Sequence, residues 1–236
     1  STMSLHPCAF RPVQMSRSSA RKVCSVRLIV PANCMCPVAG ALLAGLRAKG
    51  ETAEEIRGFA TAMRELAVDP CIPAGAPIVD TVGTGGDGSG SLNLSTGAGL
   101  LAAACGARVV KHGNRSISSR SGSADLLERL GMPLPLDGKA AVACLEATDF
   151  TFLFAPAYHP AMKAIMPVRT ALGVRTVFNL LGPLSNPAGV RRQMIGVFSR
   201  QWIEPMAQVL KALGAEAVID YTQEDFTKSG QRYDFI

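Results

Sequence analysis

The first 50 residues contain neither aspartate nor glutamate, although Arg11, Arg17, Arg21, Lys22, Arg27, Arg47 and Lys49 lie among them. They carry most of the formal charge of +6, and the remainder of the chain is nearly balanced. A balanced core argues against nucleic-acid binding and leaves an anionic small substrate as the sharper reading of a basic protein. Long hydrophobic runs are missing too, so no segment is expected to span a bilayer. Aromatic residues are scarce at 6%, whereas Ala, Gly, Val and Leu are abundant, a mixture suited to helices packed on a parallel sheet rather than to a β-sandwich. Metal-ligand spacing is absent. Four of the seven cysteines fall in the first 36 residues, but Cys34 and Cys36 are too close for a C-x-x-C knuckle and no ligand pair follows. Cys105 and Cys144 sit in Ala-rich apolar stretches and are expected to pack in the core. The cysteine pattern implies a reducing compartment without structural disulfides.

With 236 residues, 48% of them apolar, the chain is long enough for one large domain or one and a half smaller ones. Residues 1–37 show no period. Their basic, serine-bearing, acid-free composition reads either as an organellar transit peptide, which would place the protein in a plastid, or as an unstructured or adventitious extension of a cytoplasmic protein. From Val38 the pattern sharpens. Leu42, Leu43 and Leu46 fall on one helical face and Gly50 supplies a stop. Thr52 and Glu55 form a capping box that opens a second helix with Ile56, Phe59, Ala60 and Met63 along one stripe. Pro70, Pro73 and Pro77 mark the way out.

An α/β alternation follows. Pro77–Val82 reads as a strand, Ser95-Thr96 as the cap of a helix over 97–105, Arg108–Val110 as the next strand, and Ser123 with Asp125 as the start of a helix bearing Leu126, Leu127 and Leu130. A strand near 150–154, helices through 160–180, a strand near 194–198 and a helix over about 202–213 complete the pattern. Such units imply a mostly parallel sheet covered on both faces.

The chemistry gathers in three places. Gly83-Thr84-Gly85-Gly86-Asp87 follows the first strand, its glycines allowing a nest of backbone N–H groups around an anion, with a helix N-terminus close behind. It is neither a Walker A loop nor GxGxxG. Lys111-His112-Gly113-Asn114 ends the next strand, where Lys111 offers a point charge to phosphate and Asn114 a donor and acceptor pair. Arg115, Arg120 and several serines add charge and hydroxyls. Ligands collect at the carboxyl ends of strands in open α/β sheets, so these two loops would face one crevice. The third place is Tyr158-His159-Pro160 with Arg169. That arginine lies in an apolar helical stretch, and its fork suits a substrate carboxylate.

These residues resemble the anthranilate phosphoribosyltransferase family. The resemblance rests on GLRAKGETAEEIRGFATAMREL, on DTVGTGGDGSGSLNLSTGAGLLAAACGARVVKHGNRSISSRSGSADLLERLG and on FAPAYHPAMKAIMPVRTALGVRTVFNLLGPLSNPA, and covers residues 38–219. It implies a small helical domain, residues 38–72 with 158–183, beside a larger α/β domain of the nucleoside phosphorylase and phosphoribosyltransferase type, residues 74–157 with 184–219. It implies transfer of the phosphoribosyl group of phosphoribosyl diphosphate to anthranilate in tryptophan biosynthesis, with Mg²⁺, in a homodimer. On the matching positions, Gly83, Thr84, Gly86, Asp87, Asn93, Ser95, Thr96, Lys111 and Ser123 would hold phosphoribosyl diphosphate, Ser95 on its metal side. Gly83, Asn114, His159, Arg169 and Gly182 would line the anthranilate path.

Tyr158 stands where the family often has a second histidine. After Leu213-Gly214-Ala215-Glu216 the family continues to an acidic pair that binds magnesium, whereas this chain reads AVIDYTQEDFTKSGQRYDFI, and Glu224-Asp225 matches neither its spacing nor its neighbours. Residues 220–236 resemble instead part of the cofactor domain of medium-chain quinone reductases and alcohol dehydrogenases. The expectation is a C-terminally truncated α/β domain that binds phosphoribosyl diphosphate weakly and turns over slowly or not at all. Two rival readings are a pyrimidine-nucleoside phosphorylase, which shares the fold, and a non-catalytic relative that binds nucleic acid.

Overall fold

The computed structural model describes residues 35–85, 92–116, 122–225 and 228. Helix α1 (Met35–Lys49) buries Leu43 and Leu46 but leaves Leu42 exposed, so the expected three-leucine face is a two-leucine one. Gly50 follows it at φ 88°, a left-handed stop that only glycine adopts without cost. Helix α2 (Ala53–Glu65) opens on the expected capping box. Glu55 N donates to Thr52 Oγ1 at 3.3 Å and Thr52 N to Glu55 Oε2 at 3.0 Å. Ile56 and Ala60 are buried, with Phe59 and Met63 packed beside them.

Among the described residues four parallel strands form the sheet: β1 (Ile78–Gly83), β2 (Arg108–Gly113), β3 (Phe150–Phe154) and β4 (Arg192–Gly196), in the order β3-β2-β1-β4. The order reverses between β1 and β4, the position where an open α/β sheet leaves a crevice beyond its carboxyl ends. Strand β2 runs three residues further than expected, so Lys111 and His112 belong to the sheet rather than to a loop after it. Strand β3, FTFLF, is a largely apolar run buried from Phe150 to Leu153 although it lies at one edge of the sheet.

Helix α3 (Leu94–Ala104) covers β1 and β2. It packs so closely that a methyl group on Gly99 would sit 3.0 Å from Thr81 Oγ1. Its cap is Asn93 rather than Ser95-Thr96: Asn93 Oδ1 accepts from Thr96 N at 3.1 Å. Helix α4 (Ser123–Arg129) buries Leu127 and exposes Leu130. Helix α5 (Gly138–Thr148), to which no sequence pattern pointed, is capped by Asp137 and packs on β3. Cys105, expected in the core, caps α3 at the surface, and Cys144 is half-buried with its thiol on the Phe150 carbonyl. The short helix α6 (Ala155–Tyr158), α7 (Met162–Leu172), single turns at Val177–Asn179, Gly182–Leu184 and Arg200–Trp202, and α8 (Ile203–Ala212) complete the described chain.

Leu43, Ile56, Val168, Leu180, Met206 and Val209 share one core, which joins α1, α2, α7 and α8. Two further cores lie on the faces of the sheet, one around Val110, Leu145 and Leu153 and one around Val109, Leu127 and Phe152. Among the described residues no helix is long and apolar enough to cross a membrane.

Candidate functional site

At the carboxyl end of β1, Thr84 is tied to the end of β4. Its N–H donates to the Gly196 carbonyl at 2.9 Å and its hydroxyl accepts from Phe198 N at 2.9 Å. Gly83 lies exposed beside it, and Gly85 turns the chain at φ 67°. Gly86 and Asp87 lie outside the described residues. The α3 N-terminus closes the other side. Thr96, fully buried, donates to Ser123 Oγ at 2.9 Å, Asn93 Nδ2 reaches the same oxygen at 3.4 Å, and Ser95 Oγ donates to Asn93 Oδ1 at 3.3 Å. Five of the residues expected to hold phosphoribosyl diphosphate, Asn93, Ser95, Thr96, Lys111 and Ser123, thus meet in one bonded cluster.

Lys111 is placed differently from the expected surface charge. It is 1% exposed, and its ammonium donates to the Thr81 carbonyl and to Ser95 Oγ, the latter at 3.3 Å. Burial lowers its pKa and the nearby Asp80 carboxylate raises it. Asp80 is itself pushed up to about 6 by burial, opposed by the charge of Lys111 and by Asn186, whose amide donates to Asp80 Oδ2 at 2.9 Å and to the Val110 carbonyl at 2.9 Å. A buried cation and carboxylate stabilise each other's ionised forms only in part here, because desolvation is the larger effect on both.

After β2, Asn114 is exposed and its side-chain oxygen accepts from Arg115 N at 2.7 Å. Arg115, expected to offer charge to a ligand, is committed instead to Glu128 and Asp125. Asp125 accepts from Ser116 N and Gly122 N at 2.9 Å each. A methyl group on Gly122 would lie 2.1 Å from Ser116 N, so this close crossing needs glycine.

Because side chains alternate along a strand, His112 points away from Lys111, toward the helical side. Its Nδ1 lies 3.3 Å from the Gly182 carbonyl, and its ring meets His159 edge-on at 5.0 Å. His159, Gly182 and His112 are therefore neighbours, and neither histidine Nε2 has a hydrogen-bond partner among the described residues. Burial, then the neighbouring His159, pushes His112 down to about 3, and burial also lowers His159. Both rings are neutral near pH 7. Tyr158 is structural, donating to the Leu136 carbonyl at 3.0 Å.

Arg169 is half-buried with its guanidinium 5.5 Å from the Phe178 ring centroid. It has no carboxylate partner among the described residues, and burial lowers its pKa. Phe178 is also one wall of an apolar cavity of about 170 Å³ shared with Phe59, Met63, Met162 and Ile165. Cavities of ~150 Å³ accept a benzene ring.

Sequence reasoning passed over His112, Phe178, Asp80 and Asn186. His112 stood inside the quoted KHGN run, and only strand alternation would have separated its role from that of Lys111. Nothing local marked Phe178 or Asn186. No group of three or more His, Cys, Asp or Glu is placed to hold a metal among the described residues. Ser95, the expected metal-side hydroxyl, is bonded to the Lys111 ammonium, which would repel a divalent ion. The described residues alone therefore do not make a Mg²⁺ site.

Comparison with known proteins gives this arrangement a family. The α/β domain of a glycosyl transferase family matches residues 75–229, and its helical bundle domain matches residues 38–67. The chain belongs to that glycosyl transferase family. Its α/β match runs past residue 219 and takes in most of the segment after α8. Within the family, the chain is 58% identical over 179 residues to an anthranilate phosphoribosyltransferase of Rhodopseudomonas palustris, covering 76% of this chain and 52% of that one. Among solved structures it superposes on anthranilate phosphoribosyltransferase from Thermus thermophilus with a TM-score of 0.71 and 54% identity, over 76% of this chain and 54% of that one. The enzyme from Saccharomyces cerevisiae in complex with PRPP and Mg gives 0.70 and 32%, over 77% and 52%. The chain spans about half the length of the curated relatives it matches.

Proposed function

We propose that this chain is the phosphoribosyl-diphosphate-binding part of an anthranilate phosphoribosyltransferase acting in tryptophan biosynthesis. The observation that carries the reading is the bonded cluster of Asn93, Ser95, Thr96, Lys111 and Ser123 around the α3 N-terminus, beside the glycine loop that starts at Gly83. Backbone amides at a helix start, hydroxyls and one buried cation suit a diphosphate. The Saccharomyces relative described above is bound to PRPP, which supports the same ligand here.

In the reaction the bond from ribose C1 to the diphosphate breaks, the anthranilate nitrogen forms the new bond to C1, and the amine gives up a proton. The aromatic amine is already nucleophilic, so the protein's task is to position the two substrates and stabilise the departing charge. Lys111 and the α3 N-terminus would take up that charge. Gly83, Asn114, His159, Arg169 and Gly182 would line the anthranilate path, with Arg169 on the carboxylate and the apolar cavity beside Phe178 receiving the ring. Gly83, Thr84, Gly86 and Asp87 complete the phosphate side of this reading. A relative bound to PRPP and Mg supports a magnesium ion on the substrate, but no step is assigned to it from Ser95.

The same reading carries a division into a helical unit, residues 38–72 with 158–183, and an α/β unit, residues 74–157 with 184–219, a homodimer through the helical unit, and a tail over 220–236 that resembles a quinone reductase segment. Calorimetric titration of phosphoribosyl diphosphate, with and without Mg²⁺, is the test. Saturable heat that disappears in Lys111→Met is expected, and no heat under either condition would defeat the proposal. Following anthranilate fluorescence then measures turnover.

A further inference from the structure

The turn that carries Gly182 is held by side chains from four different elements. Each of its three carbonyls has a partner. That of Gly182 lies 3.3 Å from His112 Nδ1 of β2, that of Pro183 accepts from Gln193 Nε2 of β4 at 3.0 Å, and that of Leu184 accepts from Arg64 Nε of α2 at 2.6 Å. A carbonyl can only accept, so Nδ1 carries the proton of the neutral His112 ring. Strand β1 joins through Asn186, which ends the same segment and is 5% exposed. The Asn186 amide donates to Asp80 Oδ2 and to the Val110 carbonyl, both at 2.9 Å, and its Oδ1 accepts from Ala188 N at 3.0 Å. These bonds fix the orientation of the amide, since a flip would set its oxygen against a carboxylate and a carbonyl. The pairing of Val79 with Val109 and of Asp80 with Gln193 puts Asp80, His112 and Gln193 on one face of the sheet, and Thr81 and Lys111 on the other. Asp80 is 1% exposed, so it acts on a ligand only through what it holds. A buried carboxylate is costly unless hydrogen-bonded, and Asn186 supplies that bond.

We propose that Asp80 and Asn186 are positioning residues for the anthranilate side of the site, fixing the Gly182–Asn186 segment across β1 and β2 and so aiming the Gly182 carbonyl at His112. The inference rests on the proposed reading of Gly182 as part of the anthranilate path. Leu184, fully buried in the core that joins α1, α2, α7 and α8, anchors the segment by apolar packing. Packing of that kind has no direction, whereas the Asn186 amide sets which way the carbonyls of the turn point. Without it, His112 Nδ1 would lose its acceptor and the ring its fixed edge-on contact with His159. The diphosphate cluster, built around Lys111 on the opposite face, would keep its bonds to Ser95 and the Thr81 carbonyl.

The test follows the His112 Nδ1–H proton resonance in the full chain without ligand, assigned by its loss in His112→Asn. Calorimetric titrations of anthranilate and of phosphoribosyl diphosphate accompany it. In Asn186→Leu, close in volume but without donors, the resonance should be lost to exchange with solvent. Anthranilate binding should weaken about tenfold there, and diphosphate binding by less than about threefold. Asp80→Ala should do the same, whereas Asp80→Asn, whose oxygen still accepts from Asn186, should restore the resonance and the affinity. Gln193→Met removes only the bond to the Pro183 carbonyl and serves if Asn186→Leu does not fold. It should shift the resonance and weaken anthranilate binding by about threefold. A resonance unchanged in Asn186→Leu or Gln193→Met overturns the proposal. So does an Asp80→Asn chain no better than Asp80→Ala, or an equal loss of affinity for both ligands, which marks a general loss of structure. If the unmodified chain binds no anthranilate, the functional reading fails, and the resonance still decides whether Asp80 and Asn186 fix the turn.

Discussion

The two halves of the candidate site are built on opposite terms. On the sheet side, Asn93, Ser95, Thr96, Lys111 and Ser123 are bonded to one another, and the one cation is 1% exposed with a buried carboxylate nearby. On the helical side, Phe59, Met63, Met162, Ile165 and Phe178 make an apolar cavity, and Arg169 rests half-buried on an aromatic face without a carboxylate among the described residues. A pre-bonded polar cluster holds its geometry before a ligand arrives, at the expense of desolvation already incurred. An apolar cavity beside a guanidinium that has no carboxylate among the described residues leaves the ligand to complete the electrostatics. The first suits a multiply charged diphosphate, and the second a flat ring with one carboxylate.

Substitutions that separate the halves test this contrast. Lys111→Met should have the largest effect. It removes the only buried cation of the cluster and should weaken phosphoribosyl diphosphate binding by ~100-fold, since a hydrogen bond to a charged group contributes about 1.5–3 kcal/mol and the long-range charge is lost as well. Calorimetry would read it, and an affinity within threefold of the unmodified chain would break the comparison. Arg169→Leu should weaken anthranilate binding by about tenfold in calorimetry and leave diphosphate binding unchanged, because in the proposed reading the two cations serve different ligands. If both affinities fall together, the halves are not independent.

The next effect is on stability against pH. His112 is held at about 3 in the fold against an ordinary value near 6.5, so the neutral ring's contribution is fully present above pH 6.5 and is lost as pH falls toward 3. Asp80 runs the other way. Its carboxyl, raised to about 6, contributes stability that is fully present below its ordinary value near 3.8 and is lost as pH rises through 6. Melting temperature measured from pH 8 down to pH 4 should therefore fall less steeply at the acid end in His112→Asn than in the unmodified chain. Identical slopes would mean that the ring is protonated without penalty. The smallest effects are at the helix caps. Asn93→Ala and Thr52→Ala should each cost ~1 kcal/mol in chemical denaturation. Asn93→Ala alone should also weaken diphosphate binding, because its amide reaches Ser123. Equal binding in the two variants would reduce Asn93 to a cap.

Much of this architecture was legible in the chain because its cues are local. The capping box at Thr52 and Glu55, the stop at Gly50, the largely apolar FTFLF strand and the glycine run after β1 each depend on a few adjacent residues. Helix α5 escaped notice because its apolar positions are mostly alanine and its period is weak. Leu42 and Leu130 are exposed beside buried neighbours, because a helical stripe does not say how much of its width a neighbour will cover. Arg115 could be read as a ligand contact only until the fold brought Glu128 and Asp125 to it.

The sequence by itself determined that a phosphate-type loop follows one strand, that a lysine and a glycine-bearing turn follow the next, and that an arginine sits in an apolar helix. Those facts reside in residue type and short spacing. Only the tertiary structure decided that Lys111 faces α3 while its neighbour His112 faces Gly182 and His159. It also brought Phe178 under Arg169. The reason is geometric. A strand sends adjacent side chains to opposite faces, and what each meets there depends on elements far away in the chain.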